Sequence, residues 1–304
     1  MIKKIGLIGT GMMGHGMAAN LLKKGFELTF VAHRNRGNLA DLLAAGAKEV
    51  KTRAEVARNS DLVLICVTGS PQVEEVIYGP NGLMEAARKG LYIVDTSTAE
   101  PSSTNKIHAD LTAKGVKFID APMTRTPKEA EEGRLNTMVG AEPADFEAIK
   151  PVLQAFCENI FHVGKPGHGH LLKLLNNMMA MSMAAGIAEA FAVGAKAGLD
   201  LNKLFDVVSV GGVNSGIFKM MATKTLQEGD VTGFPFGIGN ALKDLRYYTH
   251  LAESVLVSSF IGEATHQSFI QAVNAGFGDK LIASLFEAQE KLNDVRIVPR
   301  RAGR

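Results

Sequence analysis

The sequence predicts an α/β fold: a doubly wound parallel sheet followed by an all-α domain built on one long helix. Three observations carry this. In the first half, short apolar runs alternate with helical patterns, as in strand–helix–strand units laid into a parallel sheet. The first of these units holds Gly9-Thr10-Gly11-Met12-Met13-Gly14 between a strand and a helix. From Gly167 onward no strand pattern competes, and residues 167–199 read as one helix stopped by Gly198.

Taken in order, residues 4–8 are an apolar run of the kind a buried parallel strand shows. The glycine motif follows at once. A helix pattern then runs from Met13 to Lys24 and stops at Gly25, and residues 28–32 read as a second strand. In that setting G-x-G-x-x-G marks a Rossmann-type, dinucleotide-binding unit. Gly9 permits the tight turn, Gly11 lets the backbone approach a pyrophosphate, and Gly14 lets the helix pack on the strand. Met12 and Met13 open that helix, whose N-terminus faces the phosphates. NAD-binding chains usually place an acidic residue at the end of the second strand. Here Ala32 is followed by His33, Arg34, Asn35 and Arg36, and the first carboxylate is Asp41. This predicts NADP, with Arg34, joined by His33 or Arg36, donating to the 2′-phosphate; NAD is the alternative.

The alternation continues. Residues 39–45 form a short helix ended by Gly46. Thr52 and Glu55 make a capping-box pair for a helix over 53–58. Residues 61–67 (DLVLICV) are a continuous apolar strand, and Ser70-Pro71 has the N-cap and N1 chemistry of a helix that runs through Val76. Strands follow over 91–95, 116–120, 133–139 and 160–163, with helices over 101–114 and 143–156. Lys128 to Glu132 is a solvated helical turn. Ligands bind at the carboxyl ends of strands in such sheets, which places Val67, Thr68 and Gly69, and Ser97 and Thr98, at the cofactor cleft. N-capping of the next helix is the plainer role for those hydroxyls. Gly164-Lys165-Pro166-Gly167 marks the boundary between a nucleotide-binding domain over 1–164 and a helical domain over 165–304. The latter carries further helices over 202–208, 217–227, 238–254, 262–275 and 281–292, and a basic tail expected to fray.

The helix over 167–199 would span roughly 45 Å. Its apolar residues run nearly all the way round, so burial on most sides is expected. Gly186, Ala188, Ala190, Ala192, Gly194 and Ala195 are small enough to let other backbones approach. A membrane span is the rival reading. The uncharged stretch from Leu174 to Ala188 is shorter than the ~18 to 20 residues a span needs, and Lys173, Asn176, Asn177 and Glu189 crowd it. Lys173 and Asn177 lie four apart and share a face. On so apolar a helix the lysine is partly enclosed, which weakens its preference for charge and suits it to proton transfer. A surface lysine beside a surface asparagine is the bland alternative.

Composition excludes several classes. With 304 residues the chain has room for two domains. It is 46% hydrophobic and 21% charged, with a formal net charge of +2 and dispersed basic residues, so nothing marks a nucleic-acid or anionic-membrane surface. Cys66 and Cys157 make neither a disulfide framework nor a zinc-ligand spacing, no histidine pair has metal spacing, and no metal is expected. MIKKIGLIGTG begins directly as structure, so the expected location is cytoplasmic. His108, His162, His168 and His170 are alternative bases to Lys173.

Four separated stretches, GLIGTGMMGHGMAANLLKKG, DTSTAEP with DAPMTRTPKEAEEGRL, GHGHLLKLLNN and ALKDL, together resemble the β-hydroxyacid dehydrogenase family. This family includes 3-hydroxyisobutyrate dehydrogenase, tartronate semialdehyde reductase, glyoxylate/succinic semialdehyde reductases and sulfolactaldehyde reductase. The resemblance covers nearly the whole chain. It implies hydride transfer between a nicotinamide cofactor and a small hydroxyacid or its aldehydo-acid form. It implies Lys173 as general acid/base and Asn177 as a substrate ligand. Thr98 and Lys243 would contact the cofactor, and Thr124, Arg125 and Thr126 would hold the substrate's acidic group. The substrate would lie between the two domains, and a homodimer or homotetramer would bury the long helix. Most members have Ser-Gly-Gly where this chain has Thr124-Arg125-Thr126. Sulfolactaldehyde reductases carry Gly-Arg-Thr, so Arg125 and Thr126 bring the chain nearer to the sulfolactaldehyde and semialdehyde reductases, while Thr124 fits neither pattern. Arg125 would add a planar fork of donors for a carboxylate, sulfonate or phosphonate. Alternatively it would turn outward to Glu129, Glu131 or Glu132. Three other readings compete: a 6-phosphogluconate-type dehydrogenase, which has a much larger helical domain; an imine-reductase-like enzyme, which lacks the lysine; and a non-catalytic NADP-binding sensor, which Lys173 together with Asn177 disfavours.

Overall fold

The computed structural model describes residues 2–32, 36–37 and 39–299. His33 and Arg34, on which the 2′-phosphate expectation mainly rests, lie outside the described residues. The chain divides into two compact units, Met1–Lys173 and Leu174–Arg304.

The first unit alternates strand and helix: β1 (Lys4–Ile8), α1 (Met12–Lys23), β2 (Glu27–Val31), α2 (Ala40–Ala44), β3 (Lys48–Val50), α3 (Arg53–Arg58), β4 (Leu62–Ile65), α4 (Ser70–Tyr78), β5 (Tyr92–Asp95), α5 (Pro101–Thr112) and β6 (Lys117–Asp120). It continues through β7 (Met123–Thr124), α6 (Pro127–Glu131), β8 (Leu135–Gly140), α7 (Pro143–Leu153), β9 (Cys157–Gly164) and the start of α8 (His168–Lys196). Among the described residues the strands form one sheet in the order β3-β2-β1-β4-β5-β6-β8-β7, with β9 beside β8. The apolar strands are buried on both faces, because successive side chains point to opposite sides. Leu62 and Leu64 pack with Ile5 and Leu7 on one face, while Val63 and Ile65 pack with Ile8 and Ile93 on the other. The strand order reverses between β1 and β4, the switch point where such sheets bind ligands.

Three details depart from expectation. The six strands β1 to β6 are parallel, but β8 runs antiparallel to β6 and β7, and β9 is parallel to β8. The sheet is therefore mixed. The link from β6 to β8 is used up by the two-residue β7 and the five-residue α6, and makes no crossover back over the sheet. Ser70 does not cap α4. Gly69 holds that position, and the Ser70 hydroxyl instead accepts from the Glu100 N–H at 2.8 Å, at the entrance to α5. Thr52 does cap α3, but the Glu55 carboxylate takes the N–H of Lys51 rather than that of Thr52.

The second unit is helical, as expected: the rest of α8, then α9 (Leu201–Val210), α10 (Gly216–Glu228), α11 (Ile238–Ser254), α12 (Phe260–Ala272) and α13 (Leu285–Asn293). Its core gathers Phe191, Phe218, Phe269 and Phe286, with the Phe191 and Phe286 rings edge to face at 5.4 Å. Gly198, at φ +77°, lets the chain leave α8, and the Leu199 N–H then bonds the Gly194 carbonyl at 2.9 Å. The expected all-round burial of α8 is not met. Only 33% of its most apolar stretch is buried. Leu175, Met179, Met183, Gly186, Ala190 and Val193 form one exposed stripe, since each follows the last by three or four residues. By length and composition α8 could cross a membrane.

Candidate active site

The glycine motif forms a cradle in which the three glycines do different work. A Cβ on Gly9, at φ +101°, would lie 2.0 Å from the Cys66 carbonyl oxygen, and one on Gly14 would lie 1.9 Å from the Gly9 carbonyl oxygen. Those two positions are closed by backbone. A Cβ on Gly11 would meet nothing within 4 Å. The open space therefore lies at the one glycine a pyrophosphate must approach. Gly11 is also the N-cap of α1, with no side chain bonded there and no acidic residue in the first turn, so the positive end of the helix keeps its attraction for an anion. Met12 is exposed and Met13 packs toward the core. These residues fit a dinucleotide. Arg36, by contrast, is already committed, its guanidinium gripping both oxygens of Glu49 at 2.9 and 2.8 Å.

The ends of β4 and β5 lie beside this cradle. The Val67 N–H donates to the Ser97 hydroxyl at 3.0 Å, and the Thr96 hydroxyl donates to the Ile65 carbonyl at 2.7 Å. Thr68 and Thr98 follow those strand ends; Thr68 is exposed and Thr98 half-buried. At the ends of β5 and β6 sit two fully buried carboxylates, Asp95 and Asp120. Asp120 receives the N–H groups of Gly167 and His170 at 2.7 and 2.8 Å, and so holds the first turn of α8. Burial raises the Asp120 carboxyl above its ordinary range; the His170 ring and the two N–H donors oppose that rise.

Lys173 lies one turn further along α8 and is 9% exposed. Asn177 follows after another turn, on the part of the helix that belongs to the second unit, and is also buried. Its amide donates to Asp244 Oδ2 at 2.7 Å, while Asn176 donates to its carbonyl oxygen at 3.1 Å. Asp244 also takes the ammonium of Lys243 at 2.6 Å, and Lys243 stands 4.7 Å from the centre of the Tyr247 ring. A single buried carboxylate thus fixes two of the residues that the family resemblance singled out. The role of Asp244 was not foreseen, although it is the acid of the ALKDL stretch.

Thr124 ends β7, opposite Asn136 of β8. Arg125 has φ +81°, a left-handed conformation that an arginine adopts only under constraint. Its guanidinium pairs with Glu158 of β9 and donates to the Arg134 carbonyl. The partner is none of the three glutamates near it in sequence; Arg134 takes Glu132 instead. Thr126 precedes α6, and both its N–H and its hydroxyl donate to the Glu129 carboxylate. That capping box holds Glu129 below the usual carboxylate range.

Burial pushes the Cys66 and Cys157 thiols up to about 11 and about 12, so neither is a nucleophile at neutral pH. His162 is tied to the Ala141 carbonyl at 2.8 Å and stacked on Phe146, a structural position. Among the described residues no group of three or more His, Cys, Asp and Glu side chains could hold a metal ion.

Comparison with known proteins agrees with this geometry. Residues 4–164 match the family described as the NAD binding domain of 6-phosphogluconate dehydrogenase. Residues 167–288 match that described as NAD-binding of NADP-dependent 3-hydroxyisobutyrate dehydrogenase. The chain is 32% identical to 2-(hydroxymethyl)glutarate dehydrogenase of Eubacterium barkeri over 97% of both chains. It is 33% identical to 2-hydroxy-3-oxopropionate reductase of Escherichia coli over 91% of this chain and 94% of that one. The crystal structure of 3-hydroxyisobutyrate dehydrogenase from Salmonella typhimurium matches with a TM-score of 0.81 at 28% identity, covering 94% of this chain and 99% of that one. Similarity of this extent, on a dinucleotide cradle and a buried lysine, makes the chain a member of the NAD(P)-dependent β-hydroxyacid dehydrogenase family.

Proposed function

We propose that this oxidoreductase is a cytoplasmic enzyme that interconverts a small aldehydo-acid and its hydroxyacid with NADP(H), and that Lys173 is its general acid/base. One observation carries the reading. Lys173 is 9% exposed on an apolar helix, one turn before an asparagine that Asp244 fixes. Gly9, Gly11, Met12, Met13 and Gly14 would hold the pyrophosphate, with Val67, Thr68, Thr98 and Lys243 contacting the rest of the cofactor. The bound dinucleotide supplies or accepts the hydride. Lys173 handles the proton at the carbinol oxygen: its ammonium gives one up in reduction, and its neutral amine takes one in oxidation. Asn177 has one N–H spent on Asp244, which leaves the other N–H and a carbonyl lone pair for the substrate. Thr124, Arg125 and Thr126 would take the acidic group, Arg125 only after leaving Glu158.

Acidity of the substrate is supported by the relatives, whose names denote hydroxy or oxo acids. NADP is favoured because no carboxylate stands between Ala32 and Arg36. The partner of the long helix is a second copy of this chain, laid along the exposed stripe of α8; no nucleic acid or membrane enters the reading.

The test is Lys173→Ala, assayed with NADPH on glyoxylate, succinic semialdehyde and tartronate semialdehyde. Turnover on the best of these should fall by roughly 10²–10⁴, the usual worth of a general acid/base, with little change in NADPH affinity. Undiminished turnover would remove the lysine from the chemistry. A wild-type preference for NADH would reverse the cofactor assignment.

A further inference from the structure

We propose that His170 is a positioning residue for Lys173, locking the first turn of α8 to the carboxyl end of β5 and to α5. The inference rests on the reading of Lys173 as the acid/base. The imidazole is fully buried. Its Nδ1 lies 2.7 Å from the Thr104 hydroxyl on α5, and its Nε2 lies 3.2 Å from the Ser97 carbonyl and 3.7 Å from Asp95 Oδ2. The Thr104 hydroxyl is itself anchored on the Glu100 carbonyl at 3.0 Å. Both ring nitrogens are therefore engaged by groups that belong to the β5–α5 segment.

The same turn is held a second time through its main chain, by Asp120 on the N–H groups of Gly167 and His170. The two ties do different things. A carboxylate on the leading N–H groups fixes where the helix begins and complements its dipole. It grips main-chain groups within about 2.3 Å of the helix axis, a short lever against rotation about that axis. An imidazole anchored to the side of the helix resists that rotation. Lys173 is three residues on, so it shares the face His170 anchors. With Cα atoms about 2.3 Å from the axis and a lysine reaching about 6 Å beyond them, a rotation of about 10° moves Nζ by more than ~1 Å. Displacement of that size in a catalytic group costs about a hundredfold. A helix cap alone would need no buried ring, and Asp120 already supplies the cap.

The experiment compares the wild type with His170→Ala, His170→Gln, Thr104→Val and Lys173→Ala. It measures kcat, KM for NADPH and the pH profile of kcat on the fastest of the three aldehydo-acids above. In His170→Ala, kcat should fall about tenfold to a hundredfold, and the limb of the profile that reports Lys173 should move. KM for NADPH should stay within about twofold, since the cradle is untouched. His170→Gln should recover part of the loss, because its amide can still donate to the Ser97 carbonyl. Should His170→Ala fail to fold, Thr104→Val decides, since it removes one partner and keeps the side-chain shape; its kcat should fall about threefold to tenfold. Wild-type kcat and pH profile in folded His170 and Thr104 variants, with Lys173→Ala impaired, would overturn the positioning role and leave the lysine reading standing. A loss confined to NADPH binding would overturn it too. Full activity in Lys173→Ala, or no wild-type turnover on any of the three substrates, would sink the lysine reading first and this one with it.

Discussion

Arg125 is the residue where local strain and side-chain chemistry pull apart. At φ +81° an L-residue gives up about 1–2 kcal/mol that a glycine would not, while an exposed pair such as Arg125 with Glu158 returns only ~0–1 kcal/mol. The two terms nearly cancel in Arg125→Gly, so its melting temperature should stay within about 3 °C of wild type. Its KM for anionic aldehydes should nevertheless rise, with turnover on an uncharged short aldehyde hardly changed. Glu158→Gln should act the other way, lowering KM by freeing the guanidinium. Steady-state kinetics on charged and neutral aldehydes check both, and identical KM values across the three proteins would show that Arg125 serves Glu158 alone. None of this pairing could be read from sequence. The sequence displays the arginine and three nearby glutamates, but a glutamate 33 positions away becomes a neighbour only through the β8–β9 pairing. Asp120 and Asp244 were hidden for the same reason: an acidic residue looks solvated until the chain around it is folded.

Among the elements, α1, α2 and α6 are joined by His15. Its Nδ1 lies 2.7 Å from Glu131 on α6 and its Nε2 lies 2.9 Å from Asp41 on α2. Burial alone would lower the ring's pKa, but the two carboxylates outweigh it and the net shift is upward. A histidine with a raised folded pKa stabilises fully below its unfolded value near 6.5, and that contribution is lost as pH rises through the folded value. Urea unfolding across pH 6 to 9 should show stability declining through this window in the wild type and a flatter course in His15→Gln. Equal slopes would mean that the clamp contributes nothing. Such a three-way tie is not visible in periodicity, whereas the elements it joins are. Long apolar runs and glycine or proline punctuation located the helices and most strands to within a few residues. The two-residue β7 and three-residue β3 were missed because so short a strand has no period to detect. The reversed direction of β8 was missed because an apolar strand reads alike in either direction.

For the molecule as a whole, the exposed stripe on α8 is where the proposed pairing of two copies can be tested. From Leu175 to Val193 it runs about 27 Å along the helix, an apolar face of the kind that suits an interaction surface. A built Cβ on Gly186, midway along it, meets nothing within 4 Å, so Gly186→Glu should leave the chain's own fold intact while placing a bulky charge where a second backbone would approach. Light scattering should find the wild type dimeric or tetrameric and this variant monomeric; a monomeric wild type would refute the assembly. The other whole-molecule feature is where the first unit ends. Its last residues, 167–173, are the opening turns of α8, bound to Asp120, Ser97 and Thr104 upstream. The glycine–proline stretch before them is where the two family matches meet, and those bonds reach back across it. In evolutionary terms, an exchange of helical halves between relatives that broke the gene there would part His170 from the strands that shape its pocket. Lineages that swapped successfully should carry the junction beyond codon 173, and the start of the helix should be inherited with the sheet.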